Sequence, residues 1–255
     1  MKPVGASAPG KALLAGEYAV LDGGPAVVAA VDRRVTVEWS DRDQPMPPEV
    51  LATLERASRK CGELPGSLEV DASALRRDDV KLGLGSSAAG AVAAAGAVFA
   101  SHGHDLREPG VRQQVFECAL GGHAAVAPSG SGVDVAASAF GGFRRFSRGS
   151  HVDTRALSAP RGLAVRLVWT GHAARTSDLV AKVRALRSAD PSLYDSTMGT
   201  LSALAAQFAD AFEEGRAGDV VRLARDYGAA MRALGEAASA PIVESRLEHA
   251  ARLAA

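Results

Sequence analysis

The 255-residue sequence balances 29 Lys plus Arg against 29 Asp plus Glu, which gives a formal net charge of zero and a pI near 7.0. That balance argues against a protein held mainly by polyanions, because non-specific nucleic-acid affinity scales with the phosphates that surplus Lys and Arg neutralise. At 47% hydrophobic and 23% charged residues, the composition is that of an ordinary globule of one large or two small domains, and it excludes disorder and a collagen-like fold.

The elements follow in chain order. Met1 to Gly10 carries a Lys but no apolar stretch before a cleavage site, so no secretory signal is expected. Ala26 to Val31 reads as a buried strand, and Val35, Val37 and Trp39 alternate with Thr36 and Glu38 as in a half-buried one. Asp41 to Pro48 reads as a loop, Val50, Leu51, Leu54 and Ala57 stand at helical spacing, and Ser67 to Val70 suggests another strand. An Ala-rich helix follows Ser86, then a helix around Val111 to Leu120, an apolar helix over Val133 to Phe140 and strand-like residues at Gly142 to Phe146. The run Ala88 to Ala100 is too short and too rich in Ala and Gly to span a membrane and predicts a buried helix.

Polar Arg148 to Arg161 reads as a boundary, and Leu163, Val165, Leu167 and Trp169 alternate as in a strand. Helices are then predicted from Thr176 or Ser177 to about Leu186, from Pro191 past Phe212, from about Asp219 to Leu234 and from Pro241 onward. Strands with helices make the chain α+β. The two cysteines, Cys61 and Cys118, are far apart in sequence and suggest reduced thiols rather than a disulfide framework or a zinc site. His102 and His104 read as a surface turn, and no histidine metal motif occurs.

Three segments carry chemistry. In Ala8-Pro9-Gly10-Lys11, Gly16-Glu17-Tyr18 and Gly23-Gly24-Pro25, tight Gly and Pro punctuation implies sharp turns that place Lys11 and Glu17 in a cleft; the alternative is a hairpin-rich surface loop. Lys81-Leu-Gly83-Leu-Gly85-Ser86-Ser87-Ala88-Ala89-Gly90 is a Gly-rich turn running into a helix, where small residues and the helix dipole favour phosphate. It matches neither G-x-G-x-x-G nor a Walker loop, and the simpler reading is a serine-capped, tightly packed helix. Gly130-Ser131-Gly132-Val133-Asp134 puts an acid at a helix start, either to deliver a carboxylate to a cleft or to complement the helix N-terminus, worth about 0.3 to 1 kcal/mol.

These motifs occur in the same order in the GHMP small-molecule kinases, and the chain resembles that family over nearly its whole length. Within it the phosphomevalonate branch is most similar: Tyr18 stands where mevalonate kinases carry His, Lys81 begins a K-x-G-L-G-S-S form, and Trp169-Thr170-Gly171 with Thr176-Ser177 is similar to that branch's W-T-G-x-x-A-x-T-S segment. The resemblance implies a ribosomal-protein-S5-like N-terminal domain over residues 1–160 and a ferredoxin-like domain over 161–255, with ATP and substrate bound between them. Gly83, Gly85, Ser86, Ser87 and Ala88 would hold the ATP phosphates, with Ser87 near Mg²⁺. Lys11 and Asp134 match the family's catalytic pair, and Lys11, Glu17, Tyr18, Lys81, Ser131, Gly132, Thr176 and Ser177 the acceptor contacts.

The expected reaction is ATP-dependent conversion of mevalonate 5-phosphate to mevalonate 5-diphosphate in the cytoplasm, with no nucleic acid or membrane involved. A hydroxyl acceptor such as mevalonate or homoserine needs a base, whereas a phosphomonoester, with its second pKa near 6, is already largely ionised at pH 7. Screening two anions calls for further cations, and Lys81, Arg175 and Lys182 are candidates. His123 stands where mevalonate kinases place a magnesium-binding Glu, which agrees with the phosphomevalonate branch, while Ala127-Pro128 replaces a frequent Gln-Gly. The family's third Gly-rich motif and last strands, normally beyond the helix near Leu253, are expected to be missing because the sequence stops at Ala255. Three readings follow: a fragment of a longer chain, a domain completed by a partner or homodimer, or a non-catalytic protein that keeps the fold and binds nucleotide or a partner.

Overall fold

The computed structural model describes residues 5–41, 44–63, 66–171, 176–244 and 247. Its first element is a strand, β1 (Ala6–Ala15), through the segment whose Gly and Pro suggested sharp turns. Gly10 lies inside it for a different reason. A Cβ there would stand 2.5 Å from the Leu84 carbonyl oxygen and 2.6 Å from Leu75 Cδ2, so close approach, not a turn, requires the glycine. A 3-10 turn (Ala19–Asp22) follows. The two strands expected next are one, β2 (Ala26–Ser40), because Asp32, Arg33 and Arg34 continue the ladder between two buried Val pairs.

Helix α1 (Pro48–Cys61) leads to β3 (Ser67–Asp71), which pairs antiparallel with β2 in the register Thr36 opposite Asp71 through Ser40 opposite Ser67. The two-residue strands β4 (Arg76–Arg77) and β5 (Val80–Lys81) form a separate small ribbon. Then come α2 (Ser86–Ser101), α3 (Pro109–Val126), α4 (Val133–Phe140), β6 (Phe143–Arg148) and β7 (Val152–Leu157). The five-stranded sheet has the order β1-β2-β6-β7, with β3 on β2. Helices α5 (Thr176–Ala189), α6 (Pro191–Glu213) and α7 (Ala217–Ala237) complete an α+β architecture, as expected.

Three sequence readings are corrected. The polar stretch Arg148 to Arg161 contains β7, whose Asp153 and Arg155 face outward while the neighbouring strand supplies the hydrogen bonds. Leu163 to Thr170, expected as a strand, is not one: the segment is irregular, and Val165, Leu167 and Val168 are exposed. Side-chain alternation expresses a preference for a sheet surface but supplies no hydrogen-bonding neighbour. The predicted helix from Pro241 does not begin there, since residues 241–244 are non-helical, and most of its remainder lies outside the described residues.

The chain divides into two compact units, one of residues 1–12 with 28–144 and one of 13–27 with 145–255. In the first, α2 packs against α1, α3 and α4 and is buried from Ala88 to Phe99, which explains its Ala and Gly content: only small side chains let a helix be enclosed on all sides. At Gly122 a Cβ would overlap Thr53 Oγ1 at 2.1 Å and meet the Thr53 backbone at 2.7 Å, so α1 and α3 meet backbone to backbone. The second unit has its own core, in which Tyr18, Val183, Leu186, Tyr194, Met198, Leu201, Tyr227 and Leu234 pack together. Arg145 there pairs with Asp210 and Glu213, and Arg155 also reaches Glu213. No described helix is long and apolar enough to cross a membrane.

Candidate active site

The Gly-rich loop is built for backbone exposure. Gly83 and Gly85 take φ of 77° and 76°, a region that costs other L-residues roughly 1–2 kcal/mol. Gly85 is the N-cap of α2, so Ser86, Ser87 and Ala88 form its first turn, where amide N–H groups lack intrahelical acceptors and the helix dipole is positive. The loop is fastened to β1: the Lys11 amide donates to the Leu84 carbonyl at 2.8 Å. A Cβ on Gly85 would lie 2.9 Å from Lys11 Cγ, so the lysine stem rests against the loop backbone.

Asp134 arrives from the opposite side through a second glycine turn. Gly132 (φ 86°) caps α4, the Val133 amide donates to Ser131 Oγ at 3.3 Å, and Asp134 occupies the first helical turn. A Cβ on Gly132 would stand 2.5 Å from Leu120 Cδ1, so a larger residue would have to displace that side chain as well as adopt the positive φ. The result is an ion pair: Lys11 Nζ lies 3.3 Å from Asp134 Oδ1, with the two side chains 18% and 34% exposed. Asp134 therefore complements a helix N-terminus and presents its carboxylate to a lysine. The pair is partly desolvated yet reachable, so an incoming anion can share the lysine.

His123 Nε2 stands 3.5 Å from Ser87 Oγ, at the limit of hydrogen bonding. Among the described residues no group of three or more His, Cys, Asp or Glu side chains gathers to hold a metal. Mg²⁺ prefers oxygen ligands and is commonly carried on substrate phosphates with one or two protein ligands. The Ser87 hydroxyl at the foot of an anion-favouring helix fits that mode, and the His123 imidazole beside it adds no hard oxygen ligand.

The remaining expected residues are more scattered. Lys81 is exposed on β5, opposite Arg76. In the second unit Tyr18 is buried with φ 63°, and burial, then the Glu17 carboxylate, pushes its hydroxyl pKa up to about 12. The Glu17 carbonyl accepts a hydrogen bond from Tyr227 Oη at 2.7 Å. Thr176 and Ser177 open α5, but their side chains lie outside the described residues, as does Arg175. Lys182 Nζ donates to the Ser239 carbonyl at 3.2 Å and so serves a chain end near α7.

Sequence reasoning missed Tyr194 and Tyr227. Tyr194 Oη donates to Asp22 Oδ2 at 2.6 Å, so both helical tyrosines hold the segment around Tyr18. The available signal was scarcity: the chain has three tyrosines, and all three lie in this one core.

Residues 49–142, which include the Gly-rich loop, His123 and Asp134, match the family model described as GHMP kinases N terminal domain. A mevalonate kinase of Thermococcus sibiricus is 30% identical over 230 residues, an alignment covering 78% of this chain and 67% of that protein. The chain belongs to the GHMP kinases. A phosphomevalonate kinase of a Streptomyces species is 32% identical over 240 residues, covering 68% of this GHMP chain and 63% of the relative's length. The fold agrees: Streptococcus pneumoniae phosphomevalonate kinase, solved with phosphomevalonate and AMPPNP, superposes with a TM-score of 0.73 at 17% identity, over 91% of this chain and 80% of that one.

Proposed function

We propose that this GHMP kinase transfers the γ-phosphoryl group of ATP to mevalonate 5-phosphate, giving mevalonate 5-diphosphate and ADP, in the cytoplasm. The observation that carries the reading is the Lys11–Asp134 ion pair lying against the Gly83–Ser87 loop. Amides of Ser86, Ser87 and Ala88 would receive the nucleotide phosphates, and the Ser87 hydroxyl would be a ligand for the Mg²⁺ that accompanies them. Mg²⁺ held there would neutralise part of the phosphate charge.

In the transfer, the bond between the γ-phosphorus and its bridging oxygen breaks as a bond forms to an acceptor phosphate oxygen. An acceptor dianion brings no proton to remove, so Asp134 orients Lys11 and Lys11 neutralises charge on the moving phosphoryl group. Positioning and screening then carry the catalysis. Lys81, Ser131 and Gly132 are acceptor-side positions in this reading, and the family resemblance adds Glu17, Tyr18, Thr176 and Ser177.

A second reading, a hydroxyl acceptor such as mevalonate, is favoured by the mevalonate kinase relative, and in it Asp134 accepts the hydroxyl proton. An ADP-release assay across mevalonate 5-phosphate, mevalonate and homoserine separates the two. Turnover of the 5-phosphate alone supports the proposal; turnover of mevalonate alone overturns it. ATP binding by calorimetry without turnover of any acceptor points instead to a non-catalytic nucleotide binder.

A further inference from the structure

The first unit holds a second cavity, of about 300 Å³, that the proposed reaction does not use. Its walls are mostly apolar, from Ala6, Val92, Leu106, Val115 and Phe140. Three arginines stand at its edge, Arg34 and Arg107 exposed and Arg112 half-buried. Arg107 is neutralised by Asp105, which it grips with two nitrogens. Arg34 is held by Ser7, its Nε donating to Ser7 Oγ at 2.9 Å and its terminal nitrogen to the Ser7 carbonyl at 2.7 Å, and no carboxylate pairs with it among the described residues. Arg112 likewise has no carboxylate partner among the described residues, and it repels Arg144, whose guanidinium lies 5.0 Å over the Phe140 ring.

An independent observation comes from the cavity's lining. Ser138 is 3% exposed, and its hydroxyl has no hydrogen-bond partner among the described residues. Buried hydroxyls are nearly always paired, because leaving one unsatisfied costs the desolvation of the group. Positive charges without counter-charges, an orphaned hydroxyl and apolar walls together describe the complement of a small amphiphilic anion.

We propose that this cavity binds a phosphate monoester with a short hydrocarbon body, its head between Arg34 and Arg112 and its tail against Val92, Leu106 and Phe140. Several guanidiniums favour a doubly charged head, since Arg forms paired charge-assisted hydrogen bonds with phosphate. The cavity is lined by the two elements that carry the Lys11–Asp134 pair: Ser7 and Pro9 precede Lys11 on β1, and Ser138 lies one turn beyond Asp134 on α4. A ligand there bears on the placement of both groups, which makes it an effector site whatever the acceptor.

The test uses n-butyl phosphate as probe, titrated by calorimetry and by amide NMR. Binding is expected with shifts at Ser7, Gly96 and Gly141, more tightly than inorganic phosphate or n-butanol. Arg112→Gln is expected to weaken binding about tenfold or more, the loss of one charge-assisted hydrogen bond. Ser138→Ala is expected to weaken binding while raising the Tm of the free protein, opposite signs that a merely structural serine does not produce. Lys11→Ala is expected to retain binding of the probe. Absence of binding at millimolar probe overturns the proposal. So does an affinity indifferent to Arg112→Gln and Ser138→Ala, equal affinity for inorganic phosphate, or shifts confined to Gly85–Ala88 and lost in Lys11→Ala.

Discussion

Tyr227, on α7, donates its hydroxyl to the main-chain carbonyl of Glu17 at 2.7 Å, across 210 positions of sequence. Burial, then the nearby Glu17 carboxylate, raises the pKa of this hydroxyl, so it stays protonated and donating at any physiological pH. The bond fixes the backbone immediately before Tyr18. Tyr227→Phe is expected to destabilise the protein by about 1 kcal/mol, the usual net value of one such bond, and to lower Tm by roughly 2–4 °C. Circular-dichroism melts of the two proteins measure this directly.

Alkaline stability follows from Tyr18 and Tyr194, both pushed up to about 12, mainly by burial. An unfolded tyrosine ionises near pH 10. Between pH 10 and 12 the unfolded chain therefore holds fewer protons than the folded one, and stability present below pH 10 is lost as pH rises through 12. Tyr194→Phe also loses the bond to Asp22. Urea titrations should show the variant less stable than wild type at pH 8 and the gap narrowing above pH 10; a constant gap across that window contradicts the assignment.

Gly85→Ala brings a methyl 2.9 Å from Lys11 Cγ and puts a side chain at φ 76°. The stem of the lysine must move or the loop must open. Loss of kcat/KM by about a hundredfold is expected, equivalent to about 2.7 kcal/mol of transition-state stabilisation, with ATP affinity falling as well. Steady-state kinetics with ATP as the varied substrate, beside a melt to confirm folding, makes the comparison.

Lys11→Met and Asp134→Asn should differ in kind. Without its cation, Asp134 is a partly buried unpaired charge facing incoming phosphates, so Lys11→Met is expected to lower both nucleotide affinity and kcat. Asp134→Asn keeps the lysine charge and loses its orientation. If the acceptor is a phosphate, its loss should fall in kcat without altering the acid limb of the pH–rate profile; a limb that disappears in Asp134→Asn identifies a base and hence a hydroxyl acceptor.

Gly122→Ala tests the fold rather than the chemistry. With Thr53 Oγ1 only 2.1 Å from the new methyl, α1 and α3 must separate. Overpacking costs typically 1–3 kcal/mol, and a contact this close to backbone belongs at the upper end. Denaturant unfolding of the variant should show a matching drop in midpoint.

The helices through α7 were legible because their periodicity is local. Helix α2 and the Gly83–Ser87 turn could be read almost to the residue, since Gly, Ser and Ala have strong positional meaning. Strand β1 was not, because Gly10 and Pro9 look like turn residues until the Leu84 carbonyl is seen packed against Gly10. At Leu163 to Thr170 the pattern promised a strand, but a strand also needs a neighbour. In the site, Lys11 and Asp134 were named from a family resemblance, and their 3.3 Å separation needed coordinates. No pattern reports the Tyr227–Glu17 bond, which depends on tertiary distance alone.

The lysine stem lying along the Gly85 backbone has a kinetic meaning. A free lysine side chain carries about 2 kcal/mol of rotamer entropy, which a catalytic group must otherwise surrender at every turnover. Here the loop and the Asp134 carboxylate confine Lys11 as the chain folds. In the proposed reaction, each arriving nucleotide would meet a cation whose rotamers folding has already restricted.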